Sequence, residues 1–193
     1  MLSEHDRGRC AEIRIHSARH RRDFELRNRV QAVQYTHQAP HHFVSVTKDG
    51  HSAIVSTTGN EDCHVILRGG RNPNYDAKNI DAAAKSMAEA GIPARIMIDC
   101  SHGNSGKEPE KQVEVGRQVA NQIADGDARI FGVMIESHLK AGRQDLMPGK
   151  ELIYGLSITD ACVGWEDTRT LVEDLADAVR QRRLKAAADG EAE

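Results

Sequence analysis

The amino-acid sequence predicts an α/β protein built on a parallel sheet, and three features of its pattern support that prediction. Short apolar runs alternate with segments of helical periodicity, as expected because parallel strands need crossovers of about a dozen residues. The apolar runs are continuous rather than alternating, which is typical of strands covered by helices. Polar residues follow successive runs, and α/β proteins bind their ligands at the carboxyl ends of strands.

Five apolar runs are predicted to form strands, and each ends in charged, polar or small residues. They span residues 43–47, 63–67, 95–98 and 130–135, with a weaker fifth run at residues 156–159. The residues that follow these runs are therefore the first candidates for a functional site.

Three segments are predicted to form helices that cover the sheet. They span residues 76–90, 108–124 and 168–183. Asp76 is a candidate N-terminal cap of the first helix, and Gly126 ends the second. Leu171 and Ala178 lie on one apolar face of the third helix. The last residues, 184–193, are poor in apolar side chains and are predicted to be frayed.

The length, net charge and apolar runs of the chain limit the classes of protein to which it can belong. A chain of 193 residues with a net charge of −3 and a pI near 6.4 lacks the strongly basic character of a general nucleic-acid binder. No apolar run approaches the roughly 20 residues that span a bilayer, and the N-terminus lacks the apolar centre of a signal peptide. The sequence thus predicts a cytoplasmic protein with neither a nucleic acid nor a membrane as its partner.

Residues 1–42 differ in composition from everything that follows. They carry eight arginines, no lysine and six of the ten histidines of the chain. A solvated or disordered extension is the simplest interpretation, and a basic arm for nucleic acid or acidic lipid is the alternative. A third interpretation is a segment outside the proper reading frame. The main domain is then expected to span residues 43–183.

Two basic residues are candidates for binding an anion. Arg68 follows a predicted strand and precedes Gly69 and Gly70, so its guanidinium is presented where the backbone can turn sharply, which suits a phosphate or a carboxylate. A structural ion pair is the alternative role of Arg68. Lys48 follows the first predicted strand and is the second candidate, although a solvated lysine is the more common case. The sequence has neither a dinucleotide-binding nor a triphosphate-binding glycine motif.

Three further polar residues each follow a different predicted strand. They are His102, Glu136 and Asp160. An imidazole and two carboxylates make a ligand set compatible with manganese, iron, cobalt or zinc, and the same set contains a general acid or base. Each residue alone is more often a loop residue with local hydrogen bonds. Their shared position at one edge of a sheet, near Arg68, favours a site.

Five long segments of the chain closely resemble one enzyme family, the class I (bacterial and fungal type) 3-deoxy-D-arabino-heptulosonate 7-phosphate synthases. The segments are PHHFVSVTKDGHSAIVSTTGN (residues 40–60), DCHVILRGGRNPNY (62–75), MIDCSHGNSGK (97–107), GVMIESHL (132–139) and YGLSITDACVGWEDT (154–168). The resemblance covers about residues 40–183. The related 3-deoxy-D-manno-octulosonate 8-phosphate synthases are a less similar alternative.

The resemblance implies a (β/α)8 TIM-barrel transferase of the shikimate pathway, which supplies aromatic amino acids. Such enzymes condense phosphoenolpyruvate with erythrose 4-phosphate and water, release phosphate, and commonly form homo-oligomers. The family holds a divalent metal with a cysteine, a histidine, a glutamate and an aspartate, and the last three correspond to His102, Glu136 and Asp160. Arg68 corresponds to the arginine that binds the phosphate of phosphoenolpyruvate. No further residue is assigned a catalytic role.

The sequence also departs from the pattern of this family. About five βα units are expected here, whereas a complete barrel has eight strands in roughly 250 residues. Counterparts of the metal-binding cysteine and of the erythrose 4-phosphate motif are not found in the sequence. A truncated or frameshifted product joined near Pro40 would explain this, and impaired activity is then expected. The alternative is a non-catalytic fragment or a regulatory partner of a full-length synthase.

Overall fold

The structure of the chain, a computed structural model, describes residues 30–34, 37, 42–56 and 58–190. These residues fall into two compact units, one running to Val65 and including Ala83–Ala94, the other containing Ile66–Ala82 and the chain from Arg95 onward. The residues proposed above as metal ligands all belong to the second unit. Among the described helices, none is both long and apolar enough to cross a membrane.

The first unit contains an antiparallel hairpin of strands β1 (His42–Val46) and β2 (Ser52–Ser56), in which Val44 is paired with Ile54. The prediction that residues 43–47 form a strand of the parallel sheet is therefore wrong. The chain turns back immediately because Gly50 adopts a φ of 80°, and the N–H of Thr47 donates to the carbonyl of His51 at 2.9 Å.

The predictions for residues 1–42 fall mostly outside the described residues. Within that segment, residues 30–34 and 37 are helical, which the sequence pattern did not predict. Val30 is buried, and Gln34 donates a hydrogen bond to the carbonyl of Ala90 at 3.0 Å within the first unit. The interpretation of the remaining residues of the segment stays a prediction.

A three-stranded sheet organises the second unit. Its strands are β3 (Val65–Leu67), β4 (Ile96–Asp99) and β5 (Ile130–Met134), in the order β3-β4-β5. Strands β4 and β5 are parallel, as predicted, and Ile98 is paired with Val133. Ile96 and Ile98 are fully buried, in agreement with their place in a continuous apolar run.

Three helices follow the three strands, namely α1 (Ala77–Glu89), α2 (Pro109–Asp125) and α3 (Trp165–Gly190). The predicted caps of the first two are confirmed. Asp76 accepts the N–H of Asn79 at 3.1 Å; burial opposes its charge, but the hydrogen bonds from Asn79 outweigh burial and lower the pKa of Asp76. Gly126 ends α2 in the left-handed conformation, with a φ of 118°.

Helix α3 packs against α2 through its apolar face. Leu171 is fully buried, and a Cβ added at Gly116 would lie 2.7 Å from a methyl carbon of Leu171, so a glycine in α2 permits the close approach. Helix α3 is longer than predicted and continues to Gly190, because its alanine-rich end has high helix propensity. Residues 184–190 are therefore helical in the structure, and their fraying stays a prediction.

The predicted fifth strand at residues 156–159 is not formed. This segment makes only an isolated bridge between Arg143 and Ser157, and the side chain of Gln144 meets the backbone instead. Gln144 Nε2 donates to the carbonyls of Ile153 and Leu156 at 2.8 and 2.9 Å. Within the segment, the carbonyl of Leu156 thus accepts from a side chain, and that of Ser157 accepts the N–H of Gln144 at 2.8 Å, so the segment is held as a loop. The described chain thus has three βα units rather than about five, and its sheet does not close.

Candidate metal centre

The loops after β3 and β4 pack backbone against backbone at the carboxyl edge of the sheet. A Cβ added at Gly69 would lie 2.4 Å from the carbonyl carbon of Gly103, and one at Gly103 would lie 2.6 Å from the nitrogen of Gly70. The N–H of Gly103 donates to the carbonyl of Arg68 at 2.9 Å. Only glycine allows this approach, which brings the loop of Arg68 beside the loop of His102.

Asn104 ties the same two strand ends together through its buried side chain. Its Nδ2 donates to the carbonyl of Leu67 at 2.9 Å and to the carbonyl of Asp99 at 2.7 Å. Its Oδ1 accepts the N–H of Asn74 at 2.8 Å. One amide thereby satisfies backbone groups on both strands and in the adjoining loop, which holds the edge of the sheet in a fixed arrangement.

The structure brings together the three residues that the sequence pattern singled out as metal ligands. One ligand atom each from His102, Glu136 and Asp160 lies within 4.8 Å of the other two. Nε2 of His102 is 3.5 Å from Oε1 of Glu136. The spacing and the donor types, one imidazole nitrogen and two carboxylate oxygens, fit a divalent transition metal.

Asp99 fixes the imidazole of His102. Its carboxylate is fully buried, and Oδ2 lies 2.7 Å from Nδ1 of His102. Oδ1 accepts the backbone N–H groups of Ser101 at 2.8 Å and of His102 at 3.2 Å. Because a carboxylate only accepts, this contact assigns the imidazole hydrogen to Nδ1 and leaves the lone pair of Nε2 directed at the cluster.

Two cationic side chains flank the cluster. Nε of Arg68 is 3.7 Å from Oδ2 of Asp99, and the Arg68 side chain is 49% exposed, so much of its guanidinium faces solvent beside the cluster. Nζ of Lys107 is 3.5 Å from Oδ2 of Asp160. Lys107 has a φ of 67° although it is not a glycine, and its N–H donates to the carbonyl of His102 at 3.0 Å.

The other predicted substrate-binding residue is Lys48. Lys48 is exposed in the turn of the β1–β2 hairpin, which belongs to the first unit. Its predicted role in binding an anion stays a prediction.

Cys100 is a structural residue despite its place beside His102. Its side chain is fully buried, and burial, together with the charge of Asp99, raises the pKa of the thiol to about 12. The thiol therefore stays protonated at neutral pH without a metal, and Cys100 lies outside the group formed by His102, Glu136 and Asp160.

Sequence reasoning missed the residues that surround the cluster rather than form it. They are Asp99, Asn104, Lys107 and Gln112. The one available signal was the position of Asp99 at the end of a buried strand, since a carboxylate there needs hydrogen-bond partners. The other three act through long-range contacts that spacing along the chain does not reveal.

A parallel α/β unit with a His–Glu–Asp cluster at the carboxyl edge of its sheet defines the chain as a protein with a candidate metal centre. Comparison with known sequences supports this class of fold and site. A sequence model of the "DAHP synthetase I family" matches residues 22–173. The chain belongs to this family, as its motifs indicated, and the match begins N-terminal to residue 40, the start of the first resembling segment.

Curated relatives carry the name of the same kind of enzyme. The chain is 57% identical over 145 residues to the "Phospho-2-dehydro-3-deoxyheptonate aldolase, Phe-sensitive" of Escherichia coli (strain K12), covering 75% of this chain and 41% of the relative. It is 54% identical over 149 residues to the "tyrosine-inhibited" aldolase of Schizosaccharomyces pombe (strain 972 / ATCC 24843), covering 75% of this chain and 40% of the relative. The chain thus spans about two fifths of the length of these relatives.

A solved structure supports the fold. The "Phospho-2-dehydro-3-deoxyheptonate aldolase" of Francisella tularensis SCHU S4 superposes with a TM-score of 0.74 at 46% identity, covering 81% of this chain and 46% of that chain. The family is metal-dependent and has a TIM-barrel fold, and the described residues are compatible with part of such a barrel.

Proposed function

We propose that this chain carries the metal-binding and phosphate-binding wall of a 3-deoxy-7-phosphoheptulonate synthase. The reaction joins phosphoenolpyruvate, erythrose 4-phosphate and water to give 3-deoxy-D-arabino-heptulosonate 7-phosphate and inorganic phosphate, at the entry to aromatic amino acid biosynthesis. The observation that carries the proposal is the convergence of His102, Glu136 and Asp160 within 4.8 Å, in a chain of this family. The function is thus that of a transferase.

His102, Glu136 and Asp160 would hold the divalent metal, with manganese, iron, cobalt and zinc all suited to this donor set. When bound, the metal supplies Lewis acidity at the aldehyde oxygen of erythrose 4-phosphate. Asp99 orients the imidazole of His102, with Nε2 toward the cluster, through its 2.7 Å contact with Nδ1. The chain thereby prepares one ligand before any metal arrives.

Arg68 would bind the phosphate of phosphoenolpyruvate. Its contact with the buried Asp99, at 3.7 Å, restrains the Nε end of the guanidinium, while the exposed remainder of the fork offers parallel donors to an oxyanion. The adjacent Gly69 lets the backbone turn at this point with a φ of 70°. Lys48 is proposed as a second anion-binding residue on the sequence pattern alone.

The structural part of the proposal is a (β/α)8 barrel of which this chain forms a portion. The β3-α1-β4-α2-β5-α3 order of the described chain, and the TM-score of 0.74 against a family structure, support it. A homo-oligomer and a cytoplasmic location belong to the same proposal, on the strength of the family resemblance.

The test is a phosphate-release assay with phosphoenolpyruvate, erythrose 4-phosphate and Mn²⁺. Release is expected to require both substrates and the metal, to be slower than in a full-length relative, and to be lost in His102→Ala. Release that survives in His102→Ala and in the presence of a chelator would contradict the proposal. A chain that binds Mn²⁺ but releases no phosphate would favour the alternative, a non-catalytic fragment or regulatory partner.

A further inference from the structure

Gln112 connects helix α2 to the end of strand β5. Its side chain is fully buried, and its Oε1 accepts the backbone N–H of Glu136 at 3.0 Å. Glu136 follows β5 by two residues and carries one of the carboxylates of the cluster. A buried amide on a helix thus holds the backbone of a candidate metal ligand on the neighbouring strand end.

The orientation of this amide is fixed by the hydrogen bond. A backbone N–H only donates, so the oxygen of Gln112 must face Glu136 and Nε2 must point away from it. Among the described residues, Nε2 is buried and has no hydrogen-bond partner. Burying an amide donor without a partner is unfavourable, so a side chain chosen for stability alone would be apolar at this position.

We infer that Gln112 is a positioning residue for Glu136, retained for the geometry of the metal centre rather than for the stability of the fold. The inference rests on the proposed metal centre. Fixing the N–H of Glu136 limits the rotation of the backbone just beyond β5, and the carboxylate then reaches His102, whose Nε2 lies 3.5 Å from Oε1 of Glu136. Loss of this restraint would let the carboxylate leave the cluster, as for other groups that orient metal ligands.

A second glutamine on the same helix provides a matched control. Gln122 Nε2 donates to the carbonyl of Tyr75 at 3.0 Å, and its buried Oε1 has no partner among the described residues. Gln122 therefore shares with Gln112 the residue type, the helix, hydrogen bonding to backbone and one buried side-chain atom without a partner among the described residues. It does not contact Glu136 through either of its hydrogen bonds.

The experiment compares Gln112→Met and Gln122→Met in the full chain, because methionine keeps the length of the side chain and removes the amide. Mn²⁺ affinity is measured by calorimetric titration, and thermal unfolding is measured without metal. Gln112→Met is expected to weaken Mn²⁺ binding by about 10-fold or more, with a Tm close to that of the natural sequence. Gln122→Met is expected to leave Mn²⁺ affinity within about 2-fold of the natural value, as a residue outside the ligand network.

A spectroscopic signature separates positioning from packing. The amide proton of Glu136 is expected to move upfield in Gln112→Met, since it loses a hydrogen bond, and to stay in place in Gln122→Met. Unchanged Mn²⁺ affinity in Gln112→Met, or an equal loss in both variants, would overturn the inference and leave the metal centre standing. Failure of the natural sequence to bind Mn²⁺ would overturn the metal centre and the inference with it.

Discussion

The carboxylate of Asp99 and the imidazole of His102 form a 2.7 Å contact between Oδ2 and Nδ1, with Asp99 fully buried. This contact sets which imidazole nitrogen is available to a metal. It also links the end of strand β4 to the cluster, because Oδ1 of the same carboxylate holds the backbone N–H groups of residues 101 and 102.

Asp99→Asn is expected to weaken Mn²⁺ binding by about 10- to 100-fold, as for other residues that orient a metal-binding histidine. The asparagine oxygen can keep the backbone N–H groups, which turns its NH₂ toward Nδ1 of His102. The imidazole hydrogen then moves to Nε2, which can no longer accept a metal. Calorimetric titration measures this change. Asp174→Asn is the charge control, because Asp174, on helix α3, pairs with Arg117 of helix α2 outside the cluster. Equal affinities for Asp99→Asn and the natural sequence would contradict the role given to Asp99.

Lys107→Gln is expected to strengthen Mn²⁺ binding by about threefold. The ammonium of Lys107 is 3.5 Å from Oδ2 of Asp160 and competes with a metal for that carboxylate. The effect is small because exposed charges are screened by solvent and salt. Lys111→Gln is the matched control, since Lys111 pairs with Glu108 at 2.7 Å outside the cluster. Weaker binding in Lys107→Gln would show that the lysine supports the site instead.

Gly69→Ala is expected to lower the free energy of unfolding by about 2–4 kcal/mol, because the added Cβ meets the backbone of Gly103 and the left-handed φ is strained for alanine. Gly70→Ala is the control, since a Cβ there meets nothing within 4 Å. Denaturant unfolding of both variants provides the measurement. Similar stabilities for the two variants would show that the loops of Arg68 and His102 do not pack as closely as described.

Asp127→Asn is expected to destabilise the fold by about 1–2 kcal/mol at neutral pH, since it removes charge-assisted hydrogen bonds. Hydrogen bonding from Arg129, at 2.7 and 2.9 Å, outweighs burial and lowers the pKa of Asp127 below its ordinary value of 3.8. The stabilisation is therefore complete above the unfolded pKa and is lost as the pH falls through the lower native pKa. The difference between the two proteins should shrink across that acid range in denaturant titrations. A difference that grows with acidity would contradict the assignment.

Much of the second unit follows from local signals in the sequence. Asp76 and Gly126 mark real helix ends because caps act on adjacent backbone, and the apolar runs at Ile96 and Ile130 are strands. The first is largely buried, whereas the second is buried only at Ile130. His102, Glu136 and Asp160 could be singled out because parallel strands end at one edge. This reason does not apply to Asp160, which follows a loop rather than a strand, although its carboxylate lies within 4.8 Å of the ligand atoms of the other two.

The elements that sequence reasoning missed depend on contacts between distant residues. An apolar run does not reveal its pairing partner, so the run at residues 43–47 predicts a parallel strand although it pairs antiparallel with β2. The segment at residues 156–159 has the composition of a strand, yet Gln144 binds its carbonyls at Leu156 and Ser157 from a neighbouring loop. Gln112 and Glu136 are 24 residues apart in the sequence, and their hydrogen bond forms only once the chain has folded.

The central claim is that His102, Glu136 and Asp160 bind one divalent metal ion. A crystal structure of the chain grown with Mn²⁺, with data collected for anomalous scattering, tests it most directly. The account predicts one anomalous peak bonded to Nε2 of His102 and to the carboxylates of Glu136 and Asp160. A peak bonded to other residues, or none at these three side chains at saturating Mn²⁺, would contradict it.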